Sequence, residues 1–214
     1  PVYESGLKHW VSIRQTGQYP SNESAGEEPI IFHQPPNCVL EWSTSIESGI
    51  CMANVCEDWV PESFWRKAYN LSSGEGYRLT AWEQTDMLME PFGITLKDLF
   101  DANMIAQYNF HGHYFSDGKD LDDILHFRCI PADEYWGGVV DEMRRMAANP
   151  MIRAMFPTAE QMKEHNIEIG HKEGGTYWAL ENNKEDWIKA FFGSREKRDA
   201  IKSWDEGYEL FHPS

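Results

Sequence analysis

The sequence predicts an α/β fold that is mostly helical and contains few short strands. The strand-like segments are rich in β-branched and aromatic residues, are bounded by Gly, Pro and Ser, and lie in the part of the chain before Ser72. Helix-like periodicity fills most of the remainder. Because a few short strands with long connections do not make a stable sheet alone, they indicate an incomplete α/β sheet with a helical extension.

The strand candidates follow one another in the first third of the chain. His9–Gln15 takes its bulk from Trp10, Val11 and Ile13, and the breaking residues Gly17 and Pro20 follow it. Pro29–His33 and Val39–Ser43 are the second and third candidates. Tyr69–Leu71 is the fourth, and it runs into Ser72-Ser73-Gly74, which is typical of a strand followed by a turn.

Helix starts are marked by capping boxes, in which a Thr side chain and the side chain three residues later satisfy each other's backbone N–H groups. The pairs are Thr80 with Glu83, Thr95 with Asp98, and Thr158 with Gln161. The helix after Thr95 is expected to continue through Phe100 to Met104. Further helices are predicted over Ser45–Glu57, Asp120–Phe127, Glu134–Ala148 and Lys184–Phe192.

The chain is strongly acidic, and this charge limits the classes of partner that it can bind. It has 19 Lys and Arg against 35 Asp and Glu, a formal net charge of −16. Nucleic-acid grooves are basic, so we expect no nucleic-acid partner. The negative charge is repelled by anionic lipid surfaces, and no apolar run in the sequence is long enough to span a bilayer, so we expect no membrane partner.

The cysteines favour a reducing compartment. Cys38, Cys51, Cys56 and Cys129 form no C-x-x-C pair, so a structural zinc site is not indicated. Free thiols are typical of the cytoplasm, and no signal peptide is visible. We therefore expect a cytoplasmic protein.

Three segments together resemble a known family. They are LKHWVSIRQTG (7–17), EWSTSIESGICMANVCE (41–57) and YNLSSGEGYRLTAWE (69–83). Their order and spacing resemble the C-terminal, substrate-binding half of the extended short-chain dehydrogenase/reductase superfamily, the NAD-dependent epimerases and dehydratases. In the second segment, Glu47 and Ser48 stand where the family has an Asp. The resemblance implies a partial Rossmann-type portion over residues 1-128 and a helical extension over residues 129-214.

Two family motifs are missing from this sequence. It has no G-x-x-G-x-x-G turn near its start, where the family binds the pyrophosphate of its cofactor. None of its tyrosines has Lys at the fourth following position, as the family's catalytic Tyr does. The resemblance therefore implies that NAD or NADP and the missing N-terminal cofactor domain belong to a parent protein. No cofactor is expected to bind this chain alone, and the chain alone is not expected to be catalytic.

The resemblance also points to two loops as substrate-binding. Arg14, Gln15, Thr16 and Gly17 follow the first strand, where the family's loop borders nicotinamide and substrate. Trp42, Ser43 and Thr44 end a later strand, and strand ends of open α/β sheets line the ligand crevice. The alternatives are an ordinary strand end with a surface Arg, and a packing Trp beside a helix cap.

Arg78 is a third candidate for substrate binding. In sugar-nucleotide members of the family, arginines of the C-terminal half clamp phosphate groups, a task for which the forked guanidinium is suited. A surface salt bridge is the alternative, and exposed pairs of that kind contribute little to stability.

His111 and His113 flank Gly112 and complete the candidate set. The H-x-H pair could bind a metal or contact the substrate, or the histidines could hold the loop by hydrogen bonds. Because no clear third ligand accompanies them, we expect no metal.

The expected partners follow from the same resemblance. A small-molecule substrate, with sugars and sugar nucleotides as candidate classes, would bind here beside the cofactor domain. Exposed apolar surface and open strand edges predict self-association. The alternative to the substrate-binding half is a stand-alone, non-catalytic binding or assembly module.

Overall fold

The computed structural model describes residues 9–15, 17–19, 29–109 and 114–210. These residues form a mostly helical α/β protein with few short strands, so the predicted fold class is confirmed. In the described residues the strands are β1 (Val11–Gln15), β2 (Gly17–Tyr19), β3 (Val39–Thr44), β4 (Lys67–Leu71) and β5 (Arg78–Thr80).

Helices occupy most of the remaining described chain. In the first half they are α1 (Ser45–Asn54), α2 (Ala81–Met89), α3 (Leu96–Leu99) and α4 (Gly118–Leu125). The second half contains α5 (Ala132–Ala148), α6 (Pro150–Met155), α7 (Ala159–Gly170), α8 (Thr176–Glu181), α9 (Glu185–Phe192) and α10 (Arg195–Ala200). All three predicted capping boxes are formed, at the starts of α2, α3 and α7. Each box satisfies backbone N–H groups that a helix start would otherwise leave without partners.

The strands form two small sheets. β1 pairs with β4 in register from Val11–Lys67 to Gln15–Leu71. β2 pairs in parallel with β3, and β5 extends this second sheet in the order β2-β3-β5. Parallel strands need long crossover connections, and the segment between β1 and β4 contains α1, which supplies a helical crossover.

The predictions of a strand over Pro29–His33 and of a long helix after Thr95 were wrong. Pro29–His33 is a 3-10 helix whose Phe32 is fully buried. A five-residue apolar run does not distinguish a strand from a helical turn, and Pro suits the first position of a helix. α3 ends at Leu99 because Phe100 adopts an extended backbone, and Met104 belongs to a separate 3-10 turn.

The chain forms two compact units that interleave along the sequence. The first comprises the described residues within 1–22, 40–79 and 113–135, and the second comprises those within 23–39, 80–112 and 136–214. The division predicted after residue 128 follows the chain linearly and stays a prediction.

Each unit has its own apolar interior. In the first, α1, β4 and α4 contribute to one cluster, which is Cys51, Phe64, Tyr69, Leu71, Leu121, Leu125 and Phe127, and Val11 and Ile13 of β1 pack against it. In the second, the larger cluster is Phe32, Phe92, Ile94, Leu96, Leu99, Phe100, Met104, Ile105 and Ile169, and a smaller one surrounds Ile188 and Phe192. Over the described ranges, no helix has the length and apolar character needed to cross a membrane.

Candidate functional site

The carboxyl ends of β1, β3 and β4 meet in the first unit. The Ser43 hydroxyl at the end of β3 donates to Gln15 Oε1 at the end of β1, at 3.1 Å. The Thr44 amide donates to the Ser73 hydroxyl just after β4, at 2.9 Å, and the Ser73 amide donates to the Trp42 carbonyl, at 3.1 Å. We call Gln15, Ser43, Thr44 and Ser73 the strand-end group. These side chains lie where open α/β sheets bind their ligands.

The start of α1 holds the strand-end group in place. Thr44 is the N-cap of α1, and its hydroxyl accepts from the Glu47 amide at 3.0 Å. The Ser48 hydroxyl donates to the Thr44 carbonyl at 2.8 Å and lies 3.4 Å from Gln15 Oε1. The helix-cap alternative for Thr44 is therefore what the structure shows, and the cap also fixes the end of β3.

Glu47 is a fully buried carboxylate that ties two parts of this unit together. Its Oε1 accepts from the backbone amides of Cys129 and Ile130, at 2.8 and 2.9 Å. Two such bonds are a strong arrangement for a buried charge, which would otherwise carry a large desolvation cost. Glu47 therefore anchors the segment after α4 to the N-terminus of α1. Its anion also favours the positive end of that helix.

Arg78 is held by acidic partners. Its Nε donates to Oε2 of the buried Glu41 at 2.9 Å, and its Nη1 to the exposed Glu75 at 3.2 Å. Its guanidinium lies 4.3 Å from the ring centroid of Tyr114. Burial alone would lower the pKa of Arg78, but the hydrogen bond to Glu41 and the charges of Glu41 and Glu75 outweigh it, so the pKa is raised. The salt-bridge alternative is thus present, with a buried rather than an exposed main partner. Substrate contact by Arg78 stays a prediction.

Glu41 and Arg128 were missed by sequence reasoning. The Ser72 hydroxyl donates to Glu41 Oε1 and accepts from Arg128 Nη2. One buried carboxylate is therefore linked to two guanidinium groups, to Arg78 directly and to Arg128 through Ser72. We call Glu41, Ser72, Arg78 and Arg128 the arginine network. The only sequence signal was an acidic residue inside a strand with apolar neighbours, which indicates a buried partner without naming it.

The other residues predicted to bind substrate lie on β1, β2 and β3 or outside the described residues. Arg14 is exposed on β1, and Gly17 pairs with Trp42 in the register of β2 and β3. The half-buried Trp42 has a buried indole N–H that meets no hydrogen-bond acceptor in the described part of the chain. Thr16, His111 and His113 lie outside the described residues.

The described residues contain no cluster of metal-ligating side chains. Across 9–15, 17–19, 29–109 and 114–210, no three His, Cys, Asp or Glu side chains are grouped to hold a metal ion. All four cysteines are free, and burial, followed by the charge of Asp122, raises the pKa of the Cys51 thiol to about 12.

Comparison of the chain with protein-family models, with curated proteins and with solved structures finds no match.

Proposed function

We propose that this chain is the substrate-binding, C-terminal part of an NAD(P)-dependent epimerase, dehydratase or reductase of the extended short-chain dehydrogenase type. A separate cofactor domain would supply NAD or NADP and the acid/base groups. In this proposal the chain holds a small-molecule substrate in the cytoplasm and does not turn it over alone. Sugars and sugar nucleotides are the candidate substrate classes.

The observation that carries the proposal is the meeting of polar groups at the ends of parallel strands. Gln15, Ser43, Thr44 and Ser73 are joined there by hydrogen bonds, although they come from distant parts of the chain. Gln15 is the exposed member of the group, and its amide can pair with the hydroxyl groups of a sugar, while the buried Ser43, Thr44 and Ser73 hold its surroundings in place. Of the three motif segments that suggested the family, 7–17 contains β1, 41–57 contains the last residues of β3, and 69–83 contains the end of β4 and the turn after it.

Calorimetry tests whether this chain binds a sugar substrate and does not bind the cofactor. Titration of the chain with NAD and with NADP is expected to give no saturable heat, and tight binding of either cofactor would contradict the proposal. Titration with a panel of sugars and sugar nucleotides is expected to give saturable binding in the millimolar range. Gln15→Ala should weaken that binding, whereas Ser12→Ala, an exposed change on the same strand, should leave it unchanged.

A stand-alone assembly module is the second candidate function. It is favoured by the side chains of Met151 and Met155, which are 73% and 80% exposed on one side of α6. Exposed methionines adapt readily to partner surfaces. Light scattering over a concentration series tests this candidate. A monomer at every concentration would remove it, and dimerisation lost in Met151→Glu/Met155→Glu would support it.

A further inference from the structure

The structure assigns to Arg128 a role as the donor of an oxyanion-binding site at the turn after β4. The inference goes beyond the proposed function, because it rests on the geometry of this side chain rather than on the resemblance. The ligand chemistry is a phosphate or carboxylate oxygen.

Arg128 is fixed on three sides by neutral acceptors. Its Nε donates to the Ser72 carbonyl at 2.9 Å, and its Nη2 donates to the Ser72 hydroxyl at 3.0 Å and to the Gly118 carbonyl at 2.7 Å. Its backbone amide donates to Asp122 Oδ1 at 2.9 Å. A guanidinium held in this way has lost its rotamer freedom before any ligand arrives, so binding carries a smaller entropic cost.

The Nη1 group of Arg128 is the part left available. It makes no hydrogen bond to any described residue, and Arg128 as a whole is only half-buried. No carboxylate in the described ranges lies within ion-pair distance of Arg128, which distinguishes it from Arg78. Although the chain has 35 acidic and 19 basic residues, the Arg128 guanidinium therefore has no direct acidic partner among the residues that the structure describes.

Two glycines keep space next to this guanidinium. Gly74 has φ 102°, which strongly favours glycine, and a Cβ there would lie 3.4 Å from Arg128 Nη1. A Cβ at Gly118 would lie 2.8 Å from the Ser72 hydroxyl and 3.4 Å from Arg128 Nη2. The backbone therefore approaches the guanidinium closely on both sides and fills less space than side chains would. The shared Glu41 offsets only part of the charge of the two arginines.

The wild-type chain can be tested directly by NMR of its arginine side chains. We expect the Nε and Nη signals of Arg128 to shift in a saturable way on titration with inorganic phosphate or with acetate, while those of Arg66 stay unchanged. The phosphate and carboxylate arms show which oxyanion binds more tightly. Sodium chloride at matched ionic strength should give no saturable shift, because a pinned guanidinium selects oxyanions by hydrogen bonding as well as charge.

A matched pair of variants sharpens the test. Arg128→Lys keeps the charge but loses the fork, and we expect it to weaken phosphate binding about tenfold. Arg66→Lys, an exposed change in the same unit, should have no effect. No saturable shift of Arg128, or a shift confined to Arg78, would overturn the inference. The wild-type titration decides even if Arg128→Lys folds poorly. If uncharged sugars bind the chain while neither phosphate nor acetate shifts the Arg128 signals, the proposed function stands and this site fails.

Discussion

The two units differ in what they bury. The second unit is closed mainly by aromatic and aliphatic side chains such as Phe32, Phe92 and Ile169, and its buried polar residues are Gln107 and Thr176. The first unit has a smaller apolar cluster, and it also buries Glu41, Ser43, Thr44, Glu47, Ser48, Ser72 and Ser73. Burying carboxylates and hydroxyls costs free energy unless each is hydrogen-bonded, so the first unit depends on the geometry of its network. The second unit depends on close packing of the apolar side chains in its interior.

The largest loss of stability is expected in the second unit, where side chains fill the apolar interior. Phe32 is fully buried, and Phe32→Ala should lower the free energy of unfolding by about 4 kcal/mol through lost burial and a cavity. Phe32→Leu should cost about 1.5 kcal/mol, because most of the volume is kept. Urea unfolding followed by circular dichroism measures both. Equal costs for the two variants would break the comparison.

Substitutions of Glu47 should change stability according to the hydrogen bonds that they keep and not according to the side-chain volume. Glu47→Leu keeps a similar volume but leaves the Cys129 and Ile130 amides without an acceptor, which should cost about 3 kcal/mol. Glu47→Gln keeps an acceptor oxygen and should cost about 1 kcal/mol. Equilibrium unfolding of both variants provides the measurement. If Leu were tolerated as well as Gln, the polar network would not be holding this unit.

Ser72 tests the link between Glu41 and Arg128. Ser72→Ala removes the hydroxyl that donates to one and accepts from the other, and should lower the free energy of unfolding by about 2 kcal/mol. Ser63→Ala, an exposed serine in the same unit, is the control and should change stability little. Thermal unfolding of the two variants side by side would show whether the network is coupled, and indistinguishable midpoints would indicate that it is not.

The smallest expected effect is a loss of stability at alkaline pH that comes from the Cys51 thiol. Burial raises its pKa from 9.0 to about 12, so the folded state keeps the thiol proton that the unfolded state loses. The resulting stability is complete below pH 9 and is lost as the pH rises toward 12. Over the first pH unit above 9.0, the wild type should lose about 1 kcal/mol more than Cys51→Ala. Urea unfolding of both proteins at the two ends of this pH interval measures the difference. If the wild type and Cys51→Ala lost the same free energy of unfolding, the thiol would not belong to the buried cluster.

Local features were predictable from the sequence, and long-range partners were not. The three capping boxes depend on residues three positions apart, and all are formed. Gln15, Ser43 and Thr44 were found from their position at strand ends, and the structure brings them together. The arginine network joins residues 31 and 56 positions apart, and no local pattern identifies which Glu and Arg will share one Ser hydroxyl.

Short apolar runs were the other source of error. Pro29–His33 has the composition of a strand but forms a 3-10 helix, because burying Phe32 in the second unit decides its conformation. The helix predicted from Thr95 to Met104 was broken for a related reason. Leu96, Leu99, Phe100 and Met104 are all buried, and an extended backbone at Phe100 interrupts the helix between them. Tertiary packing overrides local preference in both segments.

The central claim is that the strand-end group of the first unit binds substrate and the chain does not bind the cofactor. The most direct test is amide NMR of the chain during separate titrations with a sugar-nucleotide panel and with NAD or NADP. The account predicts saturable shifts at Gln15, Ser43, Thr44 and Ser73 with at least one member of the panel and none with either dinucleotide. Shifts at these residues with NAD or NADP alone, or no response to any member of the panel, would contradict it.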